Sequence, residues 1–173
     1  MPAATLLSPQ VFTVSDLLTP QECDEYVALS EGIGYGEAPI TTAYGPVMNP
    51  SVRNNERVML DDVRPAQGLW RRVAPFVREH ARFEGYVPVG VNERLRFYRY
   101  DPGQSFKWHR DGFFERPDSP VRERSRLTYM IYLNDDFEGG ETAFRGDFEG
   151  EVRPAKGMAL VFHHPQASYF SVT

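Results

Sequence analysis

His109 and Asp111 stand one residue apart at the end of a β-type run from Phe106 to Arg110, and on a strand residues i and i+2 project from the same face. An imidazole and a carboxylate placed in this way can meet one cation. A second histidine brought from another strand would complete a two-histidine, one-carboxylate triad, which holds Fe(II) and leaves positions open for substrate and oxygen. The competing reading is a plain surface ion pair. His163 and His164 precede Pro165 near the end of the chain, and His80 falls in a helical pattern as a boundary residue. Cys23, also in a helical pattern, reads as a small buried apolar group rather than a catalytic thiol.

The elements that must position these groups come in two textures. Thr19-Pro20-Gln21-Glu22 has the form of a capping box with proline at the first helical position and predicts a helix over about 20–31. Gly32 to Pro50, rich in Gly, Pro, Thr and Asn, reads as a long surface excursion. Leu69, Val73, Phe76, Val77 and His80 recur at three- and four-residue steps and predict a second helix between about Asp62 and Phe83. From Val87 onward short strands follow one another: Arg94 to Tyr100, Phe106 to Arg110, Leu127 to Leu133, Thr142 to Phe144, and Met158 to His163. Helices followed by strands argue for an α+β, mainly β, layout, and a jelly roll would hide the strand edges.

The length of 173 residues suits a single domain spanning 1–173, with helical support over about 15–85 and a jelly-roll core over about 87–165. An apolar share of 41%, with 12 Phe and 9 Tyr, excludes a disordered chain. The net charge of -5 offers no broad basic surface, so nucleic acid is not an expected partner. The apolar runs are far shorter than the roughly 20 residues that span a bilayer, and the opening lacks a secretory signal. Cys23, alone in the sequence, accords with a reducing compartment, and the expected location is cytoplasmic.

The surroundings of His109 carry a resemblance. The stretch Leu95-Arg96-Phe97-Tyr98-Arg99-Tyr100-Asp101-Pro102-Gly103, continuing through Trp108-His109-Arg110-Asp111-Gly112, resembles the metal-binding strand region of prolyl 4-hydroxylase-like 2-oxoglutarate/Fe(II) oxygenases. The match continues in order through Ser125 to Asn134, Gly139-Gly140-Glu141-Thr142-Ala143-Phe144, and Pro154 to Phe162. The resemblance implies a double-stranded β-helix, cupin-like, with Fe(II) and 2-oxoglutarate as cofactors and L-ascorbate (vitamin C) as a further candidate. It implies His109 and Asp111 as iron ligands, Tyr100 as the tyrosine whose hydroxyl bonds the distal carboxylate of 2-oxoglutarate, and Thr142 as a threonine lining the same pocket. The readings that compete with these roles are a strand aromatic packed in the barrel for Tyr100 and an ordinary strand residue for Thr142.

The chain departs from the family pattern after Phe162. By position Ser168 stands where the distal histidine is expected, and the basic residue that pairs with the 2-oxoglutarate carboxylate, together with the closing strand, lies beyond the last residue. A histidine four or five positions early on a strand sits about 13 to 17 Å from the expected site at about 3.3 Å per residue. Only a rerouted backbone makes His164, the nearer of the pair, a third ligand; otherwise the two histidines merely end a strand.

Three readings follow: an oxygenase altered at its C-terminus, an enzyme that holds metal with two ligands and a surrogate, and a catalytically inactive fold serving as a binding module. The substrate implied by analogy is a peptidyl proline, with a small molecule close behind. Gly36 to Arg57 and Phe113 to Arg124 are expected lids, the arginines of the second reading more readily as a solvated loop than as a binding patch. An open sheet edge would call for a partner such as a second copy of the chain.

Overall fold

Two short apolar strands organise the core. β2 (Val11–Ser15) and β12 (Ala159–His163) pair antiparallel, with Ala159 opposite Val14 and Phe162 opposite Val11. Alternate residues of this pair serve opposite faces. Phe12, Val14, Ala159 and Val161 pack against Val73 and Val77 of α2 (Val63–His80). Val11, Leu160 and Phe162 pack instead against Phe144 and Val152 of a second sheet. The layers are therefore helix, sheet, sheet, and each fully buried leucine or phenylalanine contributes about 1.5–3 kcal/mol.

The computed structural model describes residues 1–81, 83, 85–117, 119–164 and the backbone of 167–172. In chain order the remaining elements are β1 (Ala3–Ser8), α1 (Pro20–Ile33), β3 (Gly36–Glu37), β4 (Ile40–Thr42), β5 (Gly45–Val47) and β6 (Glu56–Asp61). They continue with β7 (Arg94–Arg99), β8 (Ser105–Arg110), β9 (Leu127–Ile131), β10 (Gly139–Arg145), β11 (Gly150–Val152) and β13 (Ala167–Val172). Among the described residues the sheets run β1-β2-β12-β9, β11-β10-β13-β8, β3-β6-β7 and the hairpin β4-β5. The fold is mainly β, of the double-stranded β-helix type, with two helices.

Both helices follow their sequence signals. Thr19 caps α1, with its hydroxyl accepting from the Glu22 amide at 3.2 Å while the Glu22 carboxylate accepts from the Thr19 amide at 2.8 Å. Arg72 of α2 donates to the same carboxylate through both terminal nitrogens, so the cap also ties the helices together. Asp62 caps α2 through the Arg64 amide at 2.9 Å. At Gly157, φ is +82°, and an added Cβ would stand 2.2 Å from the Leu18 carbonyl oxygen, so only glycine lets the β12 approach meet the entry to α1.

Three findings depart from the sequence reading. The N-terminal residues form β1 and β2, and β2 lies inside the main sheet. The expected surface excursion over Gly32–Pro50 holds β3 and the β4-β5 hairpin. The final residues, which lack a familiar strand signature, form β13 between β8 and β10. The physical reason is that two waiting edges supply the ladder hydrogen bonds that the local sequence does not advertise. β9 and β7 nevertheless remain sheet-edge strands, and no described strand joins them.

Candidate metal centre

The turn at Asp101–Gln104 carries the chain from β7 in one sheet to β8 in another. Gln104 donates its amide to the Asp101 carbonyl at 2.9 Å, and Gly103 takes φ +82°. The outer edge of β8 is covered by residues 52–54, where the Lys107 amide donates to the Val52 carbonyl at 2.8 Å and Arg53 bridges Phe106. This bracing fixes His109 at the strand's end.

Nδ1 of His109 lies 2.7 Å from the Lys107 carbonyl oxygen, which can only accept, so Nδ1 carries the proton and Nε2 keeps its lone pair. The ring stacks on Phe106 at 3.5 Å and 13°. Burial holds its pKa below the ordinary histidine range, the Lys107 carbonyl and Asp111 work against that, and the Arg53 charge adds to it. His109 is thus neutral, oriented and aimed. Its Nε2 faces Oδ1 of Asp111 at 3.6 Å. Two donors about 2.1 Å from one ion and at right angles are about 3 Å apart, so a slight closure makes the pair a chelate.

Oδ2 of Asp111 accepts from the Thr128 hydroxyl at 2.5 Å, and that hydroxyl lies 3.2 Å from His164 Nε2. Thr128 has one proton and gives it to the carboxylate, so Nε2 of His164 donates and its Nδ1 is left with a lone pair, buried and without a hydrogen-bond partner among the described residues. Burial lowers the His164 pKa, with Asp111 opposing. His163 turns the other way, its ring 5.1 Å from Phe83.

The expectation that His164 stands 13 to 17 Å away assumed one continuous strand. β12 ends at His163 and β13 begins at Ala167 in the opposite sheet, so the backbone is rerouted and His164 comes to Thr128 beside Asp111. Ser168 pairs in register with His109, on the strand next to β8. Among the described residues no three His, Cys, Asp or Glu side chains form a group able to hold an ion.

Thr142 and Tyr100 lie in separate contacts. Thr142 is 3% exposed on β10, and its hydroxyl is 2.7 Å from that of Tyr132, which sits in the cluster of Val11, Phe144, Leu160 and Phe162. Tyr132 was not singled out from the sequence, since strand alternation marks its face but not its hydroxyl. Burial pushes the Tyr100 phenol far above its usual range, with the Arg53 charge opposing.

Arg53 was also missed, hidden in a polar stretch without periodicity. It is 4% exposed, stacked between the rings of Tyr98 at 4.4 Å and Phe106 at 4.3 Å, and its Nε donates to Asn55 at 2.8 Å. Beside it a cavity of about 210 Å³ is lined by Glu37, Met48, Arg53, Asn55, Glu56 and Gln104. In the other expected lid, Arg116 pairs with Glu93 and Glu123, and Arg122 with Glu115. Those arginines are occupied within the loop and its neighbours.

The family model of the 2OG-Fe(II) oxygenase superfamily matches residues 95–172, from β7 to β13, which include His109, Asp111, Thr128 and His164. Over this segment the chain resembles that superfamily. The chain is 27% identical over 177 residues to prolyl 4-hydroxylase 1 of Arabidopsis thaliana, covering 93% of this chain and 60% of the relative. The chain spans 45 to 60% of the length of the first curated relatives it matches. Its fold is similar to a viral collagen prolyl hydroxylase of Paramecium bursaria Chlorella virus-1 in complex with 2OG, with TM-score 0.65, 17% identity, and coverage of 95% of this chain and 89% of that one. It is similar also to a Pseudomonas putida prolyl-4-hydroxylase, with TM-score 0.63, 17% identity and coverage of 95% and 85%. Fe(II) and 2-oxoglutarate are the superfamily's cofactors. The neutral, pre-oriented His109 beside Asp111 is the donor chemistry that such an ion needs.

Proposed function

We propose that this chain is an Fe(II)- and 2-oxoglutarate-dependent dioxygenase that hydroxylates a C–H bond, a peptidyl proline being the first substrate class and a small molecule the second. The observation that carries the reading is His109, proton fixed on Nδ1 and Nε2 facing Asp111, inside the segment that matches the superfamily. His109 and Asp111 hold the metal, with His164 as third ligand in exchange for its contact with Thr128. Tyr100 and Thr142 line the cosubstrate pocket. That similar proteins are prolyl 4-hydroxylases supports the choice of proline.

When bound, iron and 2-oxoglutarate supply an oxidation that consumes O₂, releases succinate and CO₂, and turns C–H into C–OH, with L-ascorbate as the proposed reductant of stalled metal. The chain's own groups do the rest. The Lys107 carbonyl keeps the proton on Nδ1 of His109, and Thr128 fixes the orientation of the Asp111 carboxylate. Phe106 covers one face of the His109 ring and keeps water off it.

A second reading, a fold that binds a partner without turnover, is favoured by the lack of a complete described three-ligand group. Calorimetric titration of Mn(II), with and without 2-oxoglutarate, separates the two. The enzyme reading expects metal binding that 2-oxoglutarate strengthens and His109→Ala abolishes, together with iron-dependent succinate release. Millimolar metal binding indifferent to His109→Ala leaves the binding module. Among the described strands the edges of β9 and β7 lack a ladder partner, which supports a homodimer in either case.

A further inference from the structure

Two arginines beside the candidate centre have no counter-charge. Arg124 and Arg126 are half-buried, and Nε of each is buried without a hydrogen-bond partner among the described residues. No described carboxylate forms an ion pair with either, whereas in the same loop Arg116 pairs with Glu93 and Glu123, and Arg122 with Glu115. The Glu115 carboxylate also feels the Arg124 charge, but it accepts from Arg122, at 3.1 Å. Each unpaired guanidinium lies instead on an aromatic ring, Arg124 at 3.4 Å from the centroid of Phe113 and Arg126 at 4.1 Å from that of Tyr86. A ring offsets part of the cost of withdrawing a cation from water, yet it leaves the donors in the guanidinium plane unused.

Both arginines stand on the rim of the His109–Asp111 centre. The Arg126 carbonyl accepts the His164 amide at 3.1 Å, and Arg124 forms an antiparallel bridge with Glu115, so extended backbone leads through both into β9. Alternate residues of such a strand share a face, and the next of this series after Arg124 and Arg126 is Thr128, which bonds Asp111. Phe113, the platform of Arg124, comes two residues after Asp111. The charges of both arginines reach His164. The two side chains leave the backbone about 6.6 Å apart, at ~3.3 Å per residue, so they repel one another unless an anion joins them. Phe113 and Tyr86 are 56% and 47% exposed, so a ligand can approach the pair from solution. A carboxylate offers the in-plane acceptors and the opposite charge that the pair lacks.

We propose that Arg124 and Arg126 form a recognition site for a carboxylate of the primary substrate: an acidic side chain beside a peptidyl proline, or the free carboxylate of an amino acid. This rests on the oxygenase reading above and adds to it the charge of the substrate.

The test is calorimetry on the full chain loaded with Mn(II) and 2-oxoglutarate, with two pairs of probes that differ only in acid against amide. One pair is the end-blocked peptide Glu-Pro-Glu and its Gln-Pro-Gln counterpart; the other is free L-proline and L-prolinamide. Wild type is expected to prefer the acid by about 10- to 100-fold in one pair, the range of hydrogen bonds to charged groups. The pair that shows it tells an acidic peptide from a free amino acid. In the double variant Arg124→Gln/Arg126→Gln the preference collapses towards one, while the affinity for 2-oxoglutarate stays as in wild type. Lysine at both positions keeps part of the preference, and Arg64→Gln, at the exposed start of α2, keeps all of it. Because the preference is a ratio within one protein, a variant with a reduced folded fraction still reports it. A wild type that binds neither acid above its amide overturns the inference and leaves the oxygenase reading standing, as does a preference unchanged in the double glutamine variant. Loss of 2-oxoglutarate affinity in that variant with the acid preference intact assigns the arginines to the cosubstrate and also overturns it. A wild type that binds no Mn(II) overturns the oxygenase reading, and the inference with it.

Discussion

Asp111 divides its two oxygens between neighbours, Oδ1 towards His109 and Oδ2 to the Thr128 hydroxyl. A carboxylate free to rotate about its last bond would spend much of its time turned from an ion held by this pair, so on the proposed reading Thr128 is a positioning residue for the metal. Thr128→Val keeps the branched shape on β9 and deletes only the donor. Mn(II) affinity is expected to fall about 10- to 100-fold with little movement of the thermal midpoint, since the side chain is only half-buried. Calorimetry and a melting curve on the same sample check this; unchanged affinity would remove Thr128 from the centre. The meeting of His109 and Asp111 was legible in the sequence because a strand's period of two places i and i+2 on one face. Thr128 was not, because a hydroxyl that reaches a carboxylate from another strand leaves no spacing to read.

At the scale of elements the cap of α1 does two jobs. Glu22 completes the capping box and receives both terminal nitrogens of Arg72, and this pairing, chiefly with Arg72, lowers its pKa to about 2 from 4.5. The folded state therefore prefers the charged form, and between those values the unfolded chain binds more protons. This contribution is complete above about pH 4.5 and is lost as pH falls towards 2. Glu22→Gln should cost about 1–2 kcal/mol at neutral pH and flatten the stability curve in that acid window, as denaturant titrations at several pH values will read; parallel wild-type and variant curves would refute it. Capping box, proline and periodicity made both helices legible. β2 was not, because Val-Phe-Thr-Val, buried on both faces, has no alternation to reveal a strand. β13 was not, because its hydrogen-bond partners come from β8 and β10, distant in sequence. The same change of sheet after His163 brings His164 to Thr128 beside Asp111, a rerouting that residue spacing along one strand does not reveal.

At the scale of the whole molecule, the two sheets that ought to enclose the centre are joined on one side and open on the other. β13 fills the space between β8 and β10, whereas β9 bonds only β12 and β7 bonds only β6 among the described strands. Leu95 of β7 and Tyr129 and Ile131 of β9 nonetheless pack around the same cluster of Leu18, Cys23 and Leu69, so the two edges border one apolar region. In an antiparallel ladder alternate residues bond opposite neighbours. Along β9 of the isolated chain, residue-resolved hydrogen exchange should therefore find every second amide slow, where it bonds β12, and those between fast. If copies of the chain cover these edges, as the homodimer proposal requires, the fast set should become protected as concentration rises, in step with the dimer fraction from sedimentation equilibrium. Uniform slow exchange along β9 in a dilute monomer would mean that the edge is already covered within the chain. Alternating exchange unchanged by concentration would leave the centre on a half-open barrel, where water reaches the metal more easily and succinate release uncoupled from substrate should be correspondingly high.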